Sequence, residues 1–225
     1  MTARPTVSAL ICVRNGEAYL AEAIESVLGQ TVRPAELIVV EDSSTDGTRD
    51  IARSYAPDVR LIQTEPRGLG SARNVAVDAA AGELVAFLDS DDLWEPEKLE
   101  LQLEAFDRDP SLDYVFTRVR EFASPMDAER FDVRPEPLPG GLASTLCARR
   151  EAIERGGWFD VDVSVADVLS WLARARELGM RELTLPEVLA RRRIHANNLT
   201  RRERDGLGAY MRVLKQSLDR RREPA

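Results

Sequence analysis

The chain has 225 residues, 44% of them apolar, and a formal charge of −8, enough for one sizeable core but cramped for two full domains. The acidic balance argues against a general nucleic-acid binder. Two cysteines, Cys12 and Cys147, lack metal-ligand spacing, so reduced structural thiols are expected rather than a disulfide framework. The longest apolar runs, 7–13 and 84–88, are too short to span a bilayer, and the N-terminus leads into a strand without a signal-peptide core. A cytoplasmic protein is the expectation.

Strand-like runs at 7–13, 37–41, 59–63 and 84–88 alternate with helical patterns, as in a parallel sheet built from βα units. Leu20, Ile24, Val27 and Leu28 place one apolar stripe on the first helix, which Gly29 and Pro34 bracket at its end. Residues 43–47 supply turn and capping residues, and Ala72, Val75, Ala76 and Ala79 give the third helix a small-residue face. A helix follows over 96–106 and a strand over 114–119. Four prolines without apolar periodicity predict a mobile loop over 121–141, which could serve as an active-site lid. The last third predicts helices near 149–155 and 167–178, a strand over 187–194 and a terminal helix over 207–218. Basic runs at 191–193, 201–202 and 220–222 read best as a solvated helix face; a weak contact with an anionic membrane is the other reading.

The segment Phe87-Leu88-Asp89-Ser90-Asp91-Asp92 ends a buried strand in three carboxylates within four residues. Ligands of open α/β sheets bind at the carboxyl ends of strands, and hard oxygen donors there suit Mg²⁺ or Mn²⁺ bridging a diphosphate. A helix cap would explain one of these aspartates but not three.

Four segments in order, VSALICVRNGEAYLAEAIESVLGQT, ELIVVEDSSTDGT, GLGSARNVAVDAAAGELVAFLDSDD and GGWFDVDVSVADVLSWL, resemble the family 2 glycosyltransferases. The resemblance implies the A-type glycosyltransferase fold: a single α/β domain with a Rossmann-like, mostly parallel sheet and helices on both faces. Residues 1–120 would form the nucleotide-sugar-binding half, and 142–225 the acceptor-side half with its C-terminal helix.

Carried onto matching positions, the resemblance implies that Asp42 binds the nucleobase and that Val13, Arg14 and Asn15 line the same pocket. Arg14 stands where the family usually has a tyrosine. Arg73 and Asn74 match a donor-binding pair, with Arg73 beside the leaving diphosphate. Asp91 and Asp89 match the Asp-x-Asp metal motif, with Asp91 the first choice for metal ligand, Asp89 contacting the donor ribose or the metal, and Ser90 between them at the donor. His195, the only histidine, resembles a C-terminal histidine that completes the metal site. Asp167 matches the catalytic base, with Asp160 and Asp162 as fallbacks, although Ala166 replaces a usual glutamate. Simpler roles stay open: Asp42 and Asp167 as helix caps, Arg73 as a surface residue and His195 as a structural one.

The activity implied is metal-dependent, inverting transfer of one sugar from a nucleoside-diphosphate sugar, UDP-linked, to an acceptor the sequence does not identify. The motif of processive synthases is missing. A catalytically decayed binding or scaffold protein is the alternative. A sugar-phosphate nucleotidyltransferase is the weaker one, because 12–16 holds no Gly-rich basic loop for a triphosphate. No signal for oligomerisation is readable.

Overall fold

The computed structural model describes residues 4–124, 128–162 and 166–198, together with Lys215. The strands are β1 (Val7–Val13), β2 (Glu36–Asp42), β3 (Val59–Thr64), β4 (Leu84–Asp89), β5 (Leu93–Trp94), β6 (Tyr114–Ala123), β7 (Leu146–Arg149) and β8 (Glu182–Ile194). The helices are α1 (Leu20–Leu28), α2 (Thr48–Ser54), α3 (Leu69–Ala79), α4 (Lys98–Arg108), α5 (Arg150–Arg155) and α6 (Asp167–Glu177). One sheet of eight strands runs in the order β3-β2-β1-β4-β7-β6-β8-β5. β1 to β4, β6 and β8 point one way, and β7 and β5 oppose them. The mostly parallel, single-domain α/β fold expected from the sequence is the one found.

Every residue of β1 is buried because helices cover both faces of the sheet. Alternate side chains divide between two cores. Ala9, Ile11 and Val13 join Leu20, Ile24 and Val27 of α1 and Leu99, Leu103 and Phe106 of α4. Leu10 and Cys12 join Ala72 and Ala76 of α3, Ile153 of α5 and Trp171 and Leu172 of α6. Both cysteines are free and buried. No helix among the described residues is long and apolar enough to cross a membrane.

Two strands escaped the sequence reading. β7 has only four residues and β5 two, too few to show a period. β6 extends to Ala123, into the segment read as loop, and the returning chain pairs with it. Val119 and Leu138 exchange backbone hydrogen bonds of 3.1 and 2.8 Å, the Glu121 carboxylate accepts the Arg134 N–H at 3.0 Å, and Arg118 donates to the Pro137 carbonyl at 3.0 Å. β8 begins at Glu182, earlier than read. The helix read over 207–218, and the basic runs at 201–202 and 220–222, lie outside the described residues.

The basic run 191–193 is corrected. It lies on β8 rather than on a helix face. Arg193 is only 3% exposed, Arg192 pairs with Glu121, and Arg191 faces Glu95 and the Phe122 ring. Arg192 and Arg193 are engaged within the chain, while Arg191 keeps 43% of its side chain exposed.

Candidate active site

The carboxyl ends of β1, β2, β3 and β4 lie in register, with Cys12 beside Asp89 and Val40, and Asp42 beside Thr64. The loops that follow are knitted together. Asn15, in a left-handed conformation, offers its side-chain oxygen to the Thr45 N–H at 2.8 Å, and its own N–H goes to the Ser44 hydroxyl at 2.9 Å. The Gly16 N–H donates to Thr48 Oγ1 at 2.8 Å. Asp42 accepts from the Thr64 hydroxyl (3.2 Å) and from the N–H groups of Arg67 (3.1 Å) and Gly68 (3.2 Å). It ties down the loop leading into α3 and does not cap α2, whose N-cap is Gly47. Val13 is buried and Arg14 is exposed. Ser90 faces Gly16, where a Cβ would stand 3.5 Å from its hydroxyl and 2.5 Å from Val13 Cγ2. A side chain at residue 16 would therefore clash with Val13 in the same turn, while it would meet Ser90 at an ordinary contact distance.

Arg73 is the centre of the site. One guanidinium nitrogen donates to Asp89 Oδ1 at 2.7 Å and the other to Asp167 Oδ2. Asp167 is the first residue of α6, after the N-cap Ala166. One of its carboxylate oxygens accepts from Arg73, and the side chain does not cap the helix. Burial opposes the Arg73 charge, but Asp167 and Asp89 hold the guanidinium above its ordinary value. Beneath it, burial pushes the Cys12 thiol up to about 12, with Arg73 opposing. Desolvation also raises Asp89; Arg73 opposes the rise, and Asp91 and Asp167 add to it.

The three carboxylates at the end of β4 turn to different partners. Asp89 turns to Arg73. Asp92 is buried; it accepts from the Ser144 hydroxyl at 2.6 Å and from the Arg193 N–H at 2.9 Å. Its burial, and then the charges of Asp91 and Asp89, set it well above the usual carboxylate range. The Ser144 oxygen also accepts the Asp89 N–H at 3.1 Å. Asp91 meets His195, with Nε2 and Oδ2 3.0 Å apart, and the same oxygen accepts from Asn198 Nδ2 at 3.1 Å. His195 Nδ1 lies 3.2 Å from the Asn197 N–H nitrogen, and Nε2 is the ring nitrogen that faces Asp91.

Asn74 braces the chain that leads into α6. Its amide donates to the Phe159 carbonyl at 2.9 Å and accepts the Phe159 N–H at 2.8 Å. Both ends are used to clamp the chain entering α6. Gly70 serves the same junction, since a Cβ there would lie 2.2 Å from the Asp160 carbonyl oxygen. Asp160 is bound to Ser170 at 2.6 Å, and Asp162 is exposed. Neither fallback base reaches Arg73.

Sequence reasoning missed four contributors: Ser144, Arg193, Asn198 and Tyr19. Arg193 donates to the Asp91 carbonyl at 3.0 Å and to Glu22 at 2.9 Å, and it lies 4.7 Å from the Tyr19 ring centroid. The Tyr19 and His195 rings are 4.6 Å apart. The extension of the Arg-x-His segment to an asparagine three residues on was the one local sign. Among the described residues, no three metal-ligating side chains already converge as a cage. The Asp91–His195 pair would share an ion with ligands from elsewhere. Adjacent ligands of an octahedral ion at about 2.1 Å stand about 3 Å apart, which the 3.0 Å pair matches. Carboxylate and imidazole together suit Mn²⁺.

The family model described as glycosyl transferase family 2 matches residues 8–151. TuaG of Bacillus subtilis (strain 168), named provisionally as a teichuronic acid biosynthesis glycosyltransferase, is 40% identical over 142 residues, 60% of this chain and 55% of TuaG. The chondroitin synthase of Escherichia coli is 41% identical over 119 residues, 52% of this chain and 17% of its own. The chain thus spans about half the length of these curated relatives, or less. S. aureus TarS 1-349 in complex with UDP-GlcNAc superposes with a TM-score of 0.69 at 23% identity, covering 86% of this chain and 60% of that one. The mannosyltransferase PcManGT of Pyrobaculum calidifontis, in complex with GDP-Man and Mn²⁺, gives 0.72 at 24%, covering 95% and 65%. At that identity the two structures speak for the fold, and the family match over more than half of the sequence settles kinship: the chain belongs to glycosyl transferase family 2.

Proposed function

We propose that the chain is a metal-dependent, inverting glycosyltransferase that moves one sugar from a nucleoside-diphosphate sugar to an acceptor. The observation that carries this reading is Arg73, a buried cation that joins the end of β4 to the first turn of α6. It sets a carboxylate, Asp167, at a fixed place beside the acidic end of β4. The acceptor hydroxyl attacks the anomeric carbon from the face opposite the diphosphate and gives its proton to Asp167. The bond from that carbon to the diphosphate oxygen breaks, and the nucleoside diphosphate leaves. Arg73 keeps its charge throughout and lies where negative charge grows on the leaving group. Asp91 and His195 would hold Mn²⁺ or Mg²⁺, which supplies Lewis-acid charge to the diphosphate when bound.

Asp42 supports a UDP-linked donor. This chain gives its carboxylate three hydrogen bonds, which leaves one acceptor position for a ring N–H of the base, an N–H that uracil shares with thymine and guanine but that cytosine lacks. Calorimetric titration with UDP, GDP, dTDP and CDP, each with and without Mn²⁺, tests the reading. Tight, Mn²⁺-dependent binding of UDP alone is expected. A folded protein that binds none of the four supports the scaffold alternative and overturns the enzyme.

A further inference from the structure

We propose that Asn198 is a positioning residue for the Asp91–His195 pair, and that it sets the affinity of the site for a divalent cation. This rests on the metal site proposed above. Asn198 is 6% exposed, and both ends of its amide are committed. Its Oδ1 accepts the His195 N–H at 2.7 Å. Its Nδ2 donates to the Arg193 carbonyl at 3.0 Å and to Asp91 Oδ2 at 3.1 Å. The Asn198 N–H closes the turn on the His195 carbonyl at 3.3 Å. One side chain therefore grips the backbone that carries His195 and the carboxylate that faces it.

The residue type follows from that double task. A donor and an acceptor are both needed at the end of a short side chain. An aspartate would set acceptor against acceptor at both Asp91 and the Arg193 carbonyl, and a glutamine is one methylene too long for a turn that closes within three residues. Asp91 sits on the connection after β4 with 29% of its side chain open to solvent. Without Asn198 its carboxylate is held by His195 alone and has room to turn toward water. Partners that orient a metal ligand typically contribute about 10- to 100-fold in metal affinity. Arg193 completes the brace, through its N–H on Asp92 and its guanidinium on the Asp91 carbonyl.

The test is Mn²⁺ titration of the whole chain in the presence of saturating UDP, with free Mn²⁺ read by electron paramagnetic resonance. Asn198→Ala should weaken Mn²⁺ binding by about 10- to 100-fold, while metal-free UDP affinity stays near that of the parent. Saturating Mn²⁺ should restore most of the transfer rate, a split between metal affinity and turnover that a general loss of structure would not produce. Asn198→Ser, which keeps one hydrogen bond but cannot span both partners, should fall between the two and serves if the alanine variant fails to fold. Unchanged Mn²⁺ affinity in Asn198→Ala, where Asp91→Ala abolishes binding, overturns the positioning role and leaves the metal site standing. A parent that binds no Mn²⁺ with UDP overturns both.

Discussion

Arg73 and Lys98 are both withdrawn from water, 4% and 0% exposed, yet the fold treats their charges in opposite ways. Arg73 lies between Asp89 and Asp167, which hold it above its ordinary value against the cost of burial. Lys98 donates to Gln102 Oε1 at 2.8 Å and stands 4.1 Å from the centroid of the Trp94 ring. With an amide and an indole for partners, burial brings it down to about 7, Cys147 opposing. Burial by itself neutralises a cation, whereas burial between carboxylates fixes one. The first is core filling, and the second is an electrostatic tool aimed at a site.

The paired cation can be broken from either end. Asp167→Asn keeps the size of the side chain and leaves Arg73 its bond to Asp89, but it removes the proton acceptor. Sugar transfer should fall by about 10²- to 10⁴-fold, with UDP binding changed no more than a few fold. A transfer rate within tenfold of the parent would move the base elsewhere. Arg73→Met leaves two neighbouring carboxylates without their cation and should cost about 3–5 kcal/mol of stability, measured by urea unfolding at pH 7. A loss below about 1 kcal/mol, the scale of a surface pair, would show that the assembly does not need its central charge.

The contrast also explains what could be read from the sequence. Strands β1, β2 and β4 were legible because a sheet covered on both faces demands unbroken apolar runs, and the candidate site motifs were legible because each is contiguous at a strand end. Arg73 was found as a motif residue, but its two partners lie 16 and 94 positions away, and no local pattern declares such a bond. Nothing in three consecutive arginines says that Arg193 is buried and Arg192 is not. Serine 144 hides for the same reason: its neighbours in sequence do not announce that it bridges Asp89 and Asp92. Pattern reveals which face a residue occupies, while the identity of a distant partner is set only when the chain closes.

The unpaired cation supplies the smaller and more discriminating experiment. Lys98→Met fills the same core with an apolar chain and removes the need to strip a proton on folding. Gln102 stays anchored, because its Nε2 still donates to the Val115 and Thr145 carbonyls at 3.0 and 3.1 Å, although its Oε1 loses a donor at about 1 kcal/mol. Each unit of pKa displacement is worth about 1.4 kcal/mol, so a net gain of roughly 1–3 kcal/mol is expected at pH 7. The sign follows from proton binding. Between about 7, the value in the fold, and 10.5, the ordinary one, the unfolded chain holds a proton on Lys98 that the folded chain lacks. Parent stability therefore gains on the variant's as pH rises through that window. Urea unfolding of both proteins at pH 7 and pH 9.5 should show the advantage of Lys98→Met shrinking. An advantage of constant size would mean that Lys98 keeps its charge in the core, and that a buried cation here needs no carboxylate.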